Sequence, residues 1–128
     1  MGLLKSLFRS GSEDDNVNVI YWNKIENISD MDAIIDQSEL NIIVIFKHST
    51  RCGISSSVLR RLEKQTKPLT DRTNFYLLNV IQHRNISNEI SHQLSLEHES
   101  PQLIIMKNRE VLAHDSHYDI LNMDLTGY

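Results

Sequence analysis

Two periods of apolar and polar positions alternate along this chain, and the switches between them outline a fold. Val17–Ile25 reads as a strand, with Val19, Tyr21 and Trp22 marking a partly buried stretch. Ser29 followed by Asp32 reads as an N-cap pair, after which Met31, Ile34 and Ile35 share one helical face. Ile42–Phe46 is solidly apolar and β-branched, the signature of a strand covered on both faces. Ile54, Val58, Leu59 and Leu62 then form one stripe at helical spacing, with Arg60, Arg61, Glu63 and Lys64 outside it, until Lys67-Pro68 stops the helix. Phe75–Ile81 predicts a second buried strand, and Ile86, Ile90 and Leu94 space the next helix at four-residue intervals. Gln102–Met106 and Glu110–His114 are two further strands, close enough through Lys107-Asn108-Arg109 to form a hairpin. Tyr118, Leu121 and Leu125 predict a closing helix.

The order is therefore β-α-β-α-β-α-β-β-α. Strands alternating with helices need crossover connections, hence parallel pairs covered by helices, and the closing hairpin adds antiparallel pairing. That order matches the thioredoxin topology with an extra leading strand. The expected class is α/β, a thioredoxin-like three-layer α/β/α arrangement around a central mixed β-sheet. Residues 1–16 are expected to form a flexible N-terminal arm, and residues 17–128 the thioredoxin-like domain.

Composition narrows the functional classes. A length of 128 residues fits one domain. The net charge of −4, with both signs mixed along the chain, argues against a nucleic-acid partner, which calls for a concentrated basic face. The longest apolar run, Ile42–Phe46, is too short to cross a bilayer. Leu3, Leu4, Leu7 and Phe8 are interrupted by Lys5 and Arg9 with no small-residue cleavage site after them, so no signal peptide and no membrane association are expected. Met1-Gly2 with Ser6 fits a loose acylation pattern and is read as a chance match. The triplets Asn27-Ile28-Ser29 and Asn85-Ile86-Ser87 are set aside as glycosylation sites on the same ground. One cysteine cannot form an internal disulfide, which suits a reducing, cytoplasmic setting.

The chemistry then rests on Cys52. It stands between a buried strand and the first turn of the following helix, where unpaired backbone N–H groups and the helix dipole favour negative charge. A thiolate is such a charge, so Cys52 is expected to ionise more readily than a free cysteine, with Arg51 and His48 adding positive potential and the Ser55 hydroxyl turned back toward the sulfur. Cys52-Gly53-Ile54-Ser55 has dithiol spacing with serine in the second position. An adduct on Cys52 must then be cleared by a thiol from solution. Far from this loop, Ser100-Pro101 opens the strand Gln102–Met106, where a thioredoxin fold places a cis-proline beside its active sulfur. His114 and His117 lack further ligand-type residues at recognised spacing, so no metal is expected.

Phe46-Lys47-His48-Ser49-Thr50-Arg51-Cys52-Gly53-Ile54-Ser55, with Ser100-Pro101 and the tail Ala113-His114-Asp115-Ser116-His117-Tyr118-Asp119-Ile120, resembles the YtxJ family, the monothiol bacilliredoxins. The resemblance runs from about Trp22 to Ile120. It implies a thioredoxin fold acting as a thiol-disulfide oxidoreductase of the bacterial bacillithiol system, among proteins often described as general stress proteins. Cys52 would be the active cysteine, Ser55 the serine that replaces a resolving cysteine, and Pro101 the cis-proline. Thr50, Arg51, Gly53, Ser100 and Pro101 form the expected substrate-binding set. The function expected is removal of a small thiol, bacillithiol or one like it, from S-thiolated client proteins through a mixed disulfide on Cys52. That small thiol is a co-substrate, and no bound cofactor is expected. The alternative is a non-catalytic stress or redox-sensor protein whose Cys52 is S-thiolated. Gly53 departs from the family's usual proline after the cysteine and places the redox tuning in question.

Overall fold

The computed structural model describes residues 20–66 and 72–128. Five strands form one sheet: β1 (Trp22–Lys24), β2 (Ile42–His48), β3 (Thr73–Asn79), β4 (Gln102–Lys107) and β5 (Glu110–Ser116). Three helices cross between them, α1 (Ile28–Gln37), α2 (Gly53–Gln65) and α3 (Arg84–Leu94), and a short 3₁₀ helix follows over His117–Asn122. The strand order across the sheet is β1-β3-β2-β4-β5. The β1–β3 and β3–β2 pairs are parallel, whereas β2–β4 and β4–β5 are antiparallel. This is the mixed α/β sheet that the alternating periods predict.

Two apolar clusters lie on opposite faces of the sheet. On one, Met31 and Ile34 of α1 and Ile86 and Ile90 of α3 pack over Ile43, Ile45, Leu78, Ile104 and Met106. On the other, Val58 and Leu62 of α2, with Ile120 and Leu125, cover Val44, Phe46, Phe75, Leu103 and Ile105. Successive β2 side chains thus serve opposite layers, as strand periodicity requires. Trp22 ties β1 to the α2 layer. Its ring meets Phe46 and Phe75 edge-on at 5.9 and 5.5 Å, and its Nε1–H donates to Glu63 Oε2 at 2.7 Å.

Several element boundaries differ from the pattern reading. The first strand covers only Trp22–Lys24 and Tyr21 is 78% exposed, while Val17–Val19 lie outside the described residues. Helix α1 starts at Ile28, with its N-cap two residues before the expected Ser29. Asn27 is the N-cap, and Asp30 Oδ2 accepts the N–H groups of Glu26 and Asn27 at 3.0 Å each. Strand β3 ends at Asn79 rather than Ile81, because Asn79 Oδ1 accepts the N–H groups of Ile81 and Gln82 and closes a turn. Ile54 is a solvent-facing residue of α2, 39% exposed, so the buried stripe begins at Ser55 and Val58. Lys67 and Pro68 lie outside the described residues, and α2 is capped by Thr66. The closing helix is the 3₁₀ segment, with Ile120 buried and Tyr118 49% exposed.

The β4–β5 turn is one residue tighter than expected, since Lys107 belongs to β4. Asn108 and Arg109 both take left-handed backbone, φ 52° and 66°, which is the two-residue turn whose twist matches the strands. The turn is latched to the end of α1. The N–H groups of Asn108 and Arg109 donate to Ser38 O and Ser38 Oγ, at 2.6 and 2.8 Å. The Arg109 guanidinium reaches Asp36 and Glu39. Asn tolerates the left-handed region and a β-branched residue does not, so Asn108→Val should lower the unfolding free energy by about 1–2 kcal/mol. Urea unfolding of the two proteins measures it, and equal midpoints would refute the turn assignment.

Candidate functional site

Strand β2 delivers the chain to the site. Its last two residues, Lys47 and His48, point to opposite faces. His48 lies on the α2 side, where its Nδ1 is 2.7 Å from Ser55 Oγ. Beyond it the chain turns through Ser49, Thr50 and Arg51, closed by Cys52 N–H donating to Ser49 O at 3.1 Å. Cys52 is the N-cap of α2, half-buried, with extended backbone at φ −107° and ψ 120°. Its carbonyl accepts the Ser56 N–H at 3.2 Å. Thr50, Arg51 and Gly53 are exposed around it.

Ser55 is fully buried, and its hydroxyl is engaged away from the place expected for it. Instead of facing the sulfur, Ser55 Oγ accepts the Ser49 N–H at 3.0 Å and pairs with His48 Nδ1. It thereby sews the start of the loop to the first turn of α2. With the imidazole protonated on Nε2, the hydroxyl donates to Nδ1; with Nδ1 protonated, it accepts twice and its own proton is free. His48 also differs from the expected positive neighbour. Burial pushes it below its ordinary value of 6.5, so near pH 7 it is a neutral hydrogen-bonding partner.

Beyond the Lys47–Gln102 pair of β2 and β4, the loop into β4 lies alongside the end of β2. The Ser100–Pro101 peptide bond is cis and Pro101 is buried. Pro101 O accepts the His117 N–H at 3.0 Å, which fastens this loop to the 3₁₀ helix. His117 takes left-handed backbone, and its Nδ1 lies 3.9 Å from Glu99 Oε1. Among the described residues, no group of three or more His, Cys, Asp or Glu side chains gathers as a metal site.

Lys47 is the functional-region residue that the apolar pattern misses. It extends the Ile43–Ile45 face of β2 by one step and is completely buried under α3. Its Nζ donates to Ser87 O at 3.3 Å and Ser91 Oγ at 3.1 Å. Beside it in register stands Gln102, whose Nε2 donates to Glu97 O, and Ser87 Oγ pairs with His98 Nδ1 at 2.8 Å. Ser100 Oγ and Gln102 Oε1 are buried with no hydrogen-bond partner among the described residues. Burial, and secondarily the charge of Arg84, pushes the Lys47 ammonium down from 10.5 to about 8. An intermediate polar position in the sequence Phe46-Lys47-His48 gives no hint of this, because a lysine ending a strand is ordinarily a solvated one.

Solved structures similar to this one carry the thioredoxin fold. One described as having a thioredoxin fold aligns with a TM-score of 0.63 and 27% identity, covering 76% of this chain and 83% of its own. The thioredoxin of Malassezia sympodialis aligns at 0.64 and 18% identity, over 83% and 87%. Mitochondrial thioredoxin 3 of Saccharomyces cerevisiae aligns at 0.62 and 16%, over 79% and 88%. Residues 23–125 match the family described as monothiol bacilliredoxin BrxC, and the chain belongs to that family. Its function is accordingly thiol redox chemistry. No helix among the described residues is long and apolar enough to cross a membrane.

Two tests follow from this geometry. A Cβ built on Gly53 meets no heavy atom within 4 Å, and the extended backbone of Cys52 is the conformation that a following proline demands. Gly53→Pro, at the first helical position, should therefore raise the unfolding free energy by about 0.4–1 kcal/mol. A loss of stability would show that the Gly53 N–H or its freedom is needed. For Lys47, the folded value lies below the unfolded one, so between about pH 8 and 10.5 the unfolded chain holds more protons and stability rises with pH. Lys47→Met should exceed the native protein in unfolding free energy by about 1–4 kcal/mol near pH 7, with the gap closing above pH 10.5. Urea unfolding at stepped pH reads the difference, and a gap independent of pH would contradict the burial of a charge.

Proposed function

We propose that this protein exchanges a small thiol between client proteins and solution through Cys52, in the reducing cytoplasm of a bacterium. The observation that carries the reading is a single half-buried thiol at the N-cap of α2, held by a loop whose second dithiol position is a serine already bonded elsewhere. In the first step the Cys52 thiolate attacks the small-thiol sulfur of an S-thiolated client. The client's disulfide breaks, a Cys52 mixed disulfide forms, and the client cysteine leaves as thiolate. In the second step a free small thiolate attacks that adduct, forming a small-molecule disulfide and returning the Cys52 thiolate. Each step exchanges one disulfide for another, so electrons balance without a bound cofactor.

The small thiol is taken as bacillithiol on the strength of the family. Thr50, Arg51 and Gly53 on one side and Ser100 and Pro101 on the other are the residues that would meet the two substrates, with exposed Ile54 offering the client an apolar contact.

The test is turnover of a bacillithiol-loaded client, followed by mass spectrometry in excess bacillithiol. The native protein should clear many equivalents, and Cys52→Ser should clear none above the uncatalysed rate. Ser55→Ala should keep one-thiol turnover while losing about 1–3 kcal/mol of stability, because the Ser49 N–H and His48 lose their buried partner. A native protein that takes one adduct and stops would favour a sensor, and turnover by Cys52→Ser would remove Cys52 from the mechanism.

A further inference from the structure

Beside the Cys52 loop lies a cleft of about 240 Å³ at the ends of β1, β2 and β3. Its lining includes Lys24, Glu26, His48, Thr50, Asn79 and His83. Thr50 is two residues from Cys52 along a tight turn, which puts the two Cα atoms within about 7 Å. Cys52 itself is not in the lining, so a ligand joined to its sulfur would reach the cleft by extending past Thr50. A second cleft, of about 310 Å³, lies at the far end of α2 against Met123–Thr126 and contains none of the loop residues.

The polar groups in the first cleft are of both signs. Lys24 supplies a cation and His83 an imidazole. Glu26 supplies an anion. Among the described residues, none of these three side chains makes a hydrogen bond or ion pair, and Lys24 and Glu26 are not paired with each other. Asn79 is oriented by its Oδ1, which accepts the N–H groups of Ile81 and Gln82, so its amide N–H groups are the ones left for a ligand. His83 is likewise placed by its backbone, whose carbonyl accepts the N–H groups of Ile86 and Ser87 at the start of α3. The volume is below the roughly 300–1,000 Å³ that encloses a whole drug-sized ligand, so the cleft suits one end of a molecule whose other end is outside.

We infer that this cleft holds the tail of the small thiol carried on Cys52, and that it selects a zwitterionic one. Lys24, His83 and the Asn79 amide take a carboxylate, and Glu26 takes an ammonium. The inference rests on the exchange reading above and adds to it the side chains that would recognise the charged groups of the thiol. It also assigns the two sides of the loop to different partners: the small-thiol tail on the β1–β3 side, and the client on the Pro101 side.

The test isolates one step. The Cys52 thiolate reacts with a symmetrical small disulfide, which breaks as the Cys52 adduct forms and releases one small thiolate. Adduct formation is timed by intact mass for cystine, cystamine, dithiodiglycolate and hydroxyethyl disulfide. Each rate is divided by that of the same reagent with N-acetylcysteine. Cystine should lead the normalised series. Lys24→Gln or His83→Gln should each cut the advantage of the carboxylate reagents by up to about fivefold, the scale of one solvent-exposed ion pair. Glu26→Gln should do the same for the ammonium reagents, and hydroxyethyl disulfide should be unaffected by all three. All three side chains are outside the core, so these variants keep the fold. A normalised series with no charge preference, or one that the three variants leave unchanged, overturns the cleft and leaves the exchange reading standing. A Cys52 that takes no adduct from any reagent overturns both.

Discussion

Burial of β2 on both faces is the constraint on which the rest of the structure depends. Its seven residues pair in parallel with β3, and five of them pair antiparallel with β4, so neither edge is free to shift. A slip by one residue would move every side chain to the wrong layer. Ile43 and Ile45 belong to the α1–α3 core, and Val44 and Phe46 to the α2 core. Continued for two more residues, that parity commits Lys47 to α3 and His48 to α2. Both polar heads are thus dictated by apolar neighbours rather than by any preference of their own. Each then grips its helix, Lys47 at Ser87 and Ser91, His48 at Ser55. The strand end that carries the chain to Cys52 is clamped from above and below.

That clamping explains how an exposed loop presents a thiol in a defined place. Loops ordinarily owe their position to the elements on either side. Here Ser49 bonds forward to Ser55 through its N–H and to Cys52 through its carbonyl, so the turn is closed on itself before the helix begins. The opposite wall is held separately, by Pro101 O bonded to His117 N–H. Burying the Lys47 amine costs stability near neutral pH, and the two hydrogen bonds to α3 offset only part of it. Among the described residues Ser100 Oγ and Gln102 Oε1 are buried without partners, and Gln102 stands beside Lys47 in register, so this region is positioned at some cost in stability.

The sequence made the layers legible because each buried face is dense in β-branched or aliphatic residues at one period. Ile42–Phe46 could be assigned to a two-faced strand, and Val58 with Leu62 to a helix, from spacing alone. The elements it misplaced are those decided by a single polar side chain. Asn27 displaces the N-cap because Asp30 stands three residues on, and Asn79 ends a strand by bonding the next two N–H groups. Such contests between side chain and backbone leave no periodic trace. At the site, Cys52 and Pro101 could be read from their positions in the element order. The His48–Ser55 bond could not, since it joins residues from two elements whose relative depth depends on tertiary packing. Glu26, Lys24 and His83 meet only because β1 and β3 are parallel neighbours, which the strand order decides.

The serine at position 55 then has a structural reason as well as a chemical one. Its oxygen is within hydrogen-bond range of a backbone N–H and an imidazole at once, in a place with no room for water. A thiol there would be a weak donor and a weak acceptor, with longer contacts, and would leave both partners poorly satisfied. A buried N–H without a good acceptor costs about 1–3 kcal/mol, so a second cysteine would loosen the turn that positions the first. The same atoms that stiffen the loop therefore disfavour a thiol at this position. In the proposed cycle, resolution falls to a molecule from solution, which needs a place to approach the adduct. Bulk on the α2 side is filled by Phe46 and Trp22. The cleft beside Thr50, at the ends of β1 and β3, is the approach we propose for that molecule.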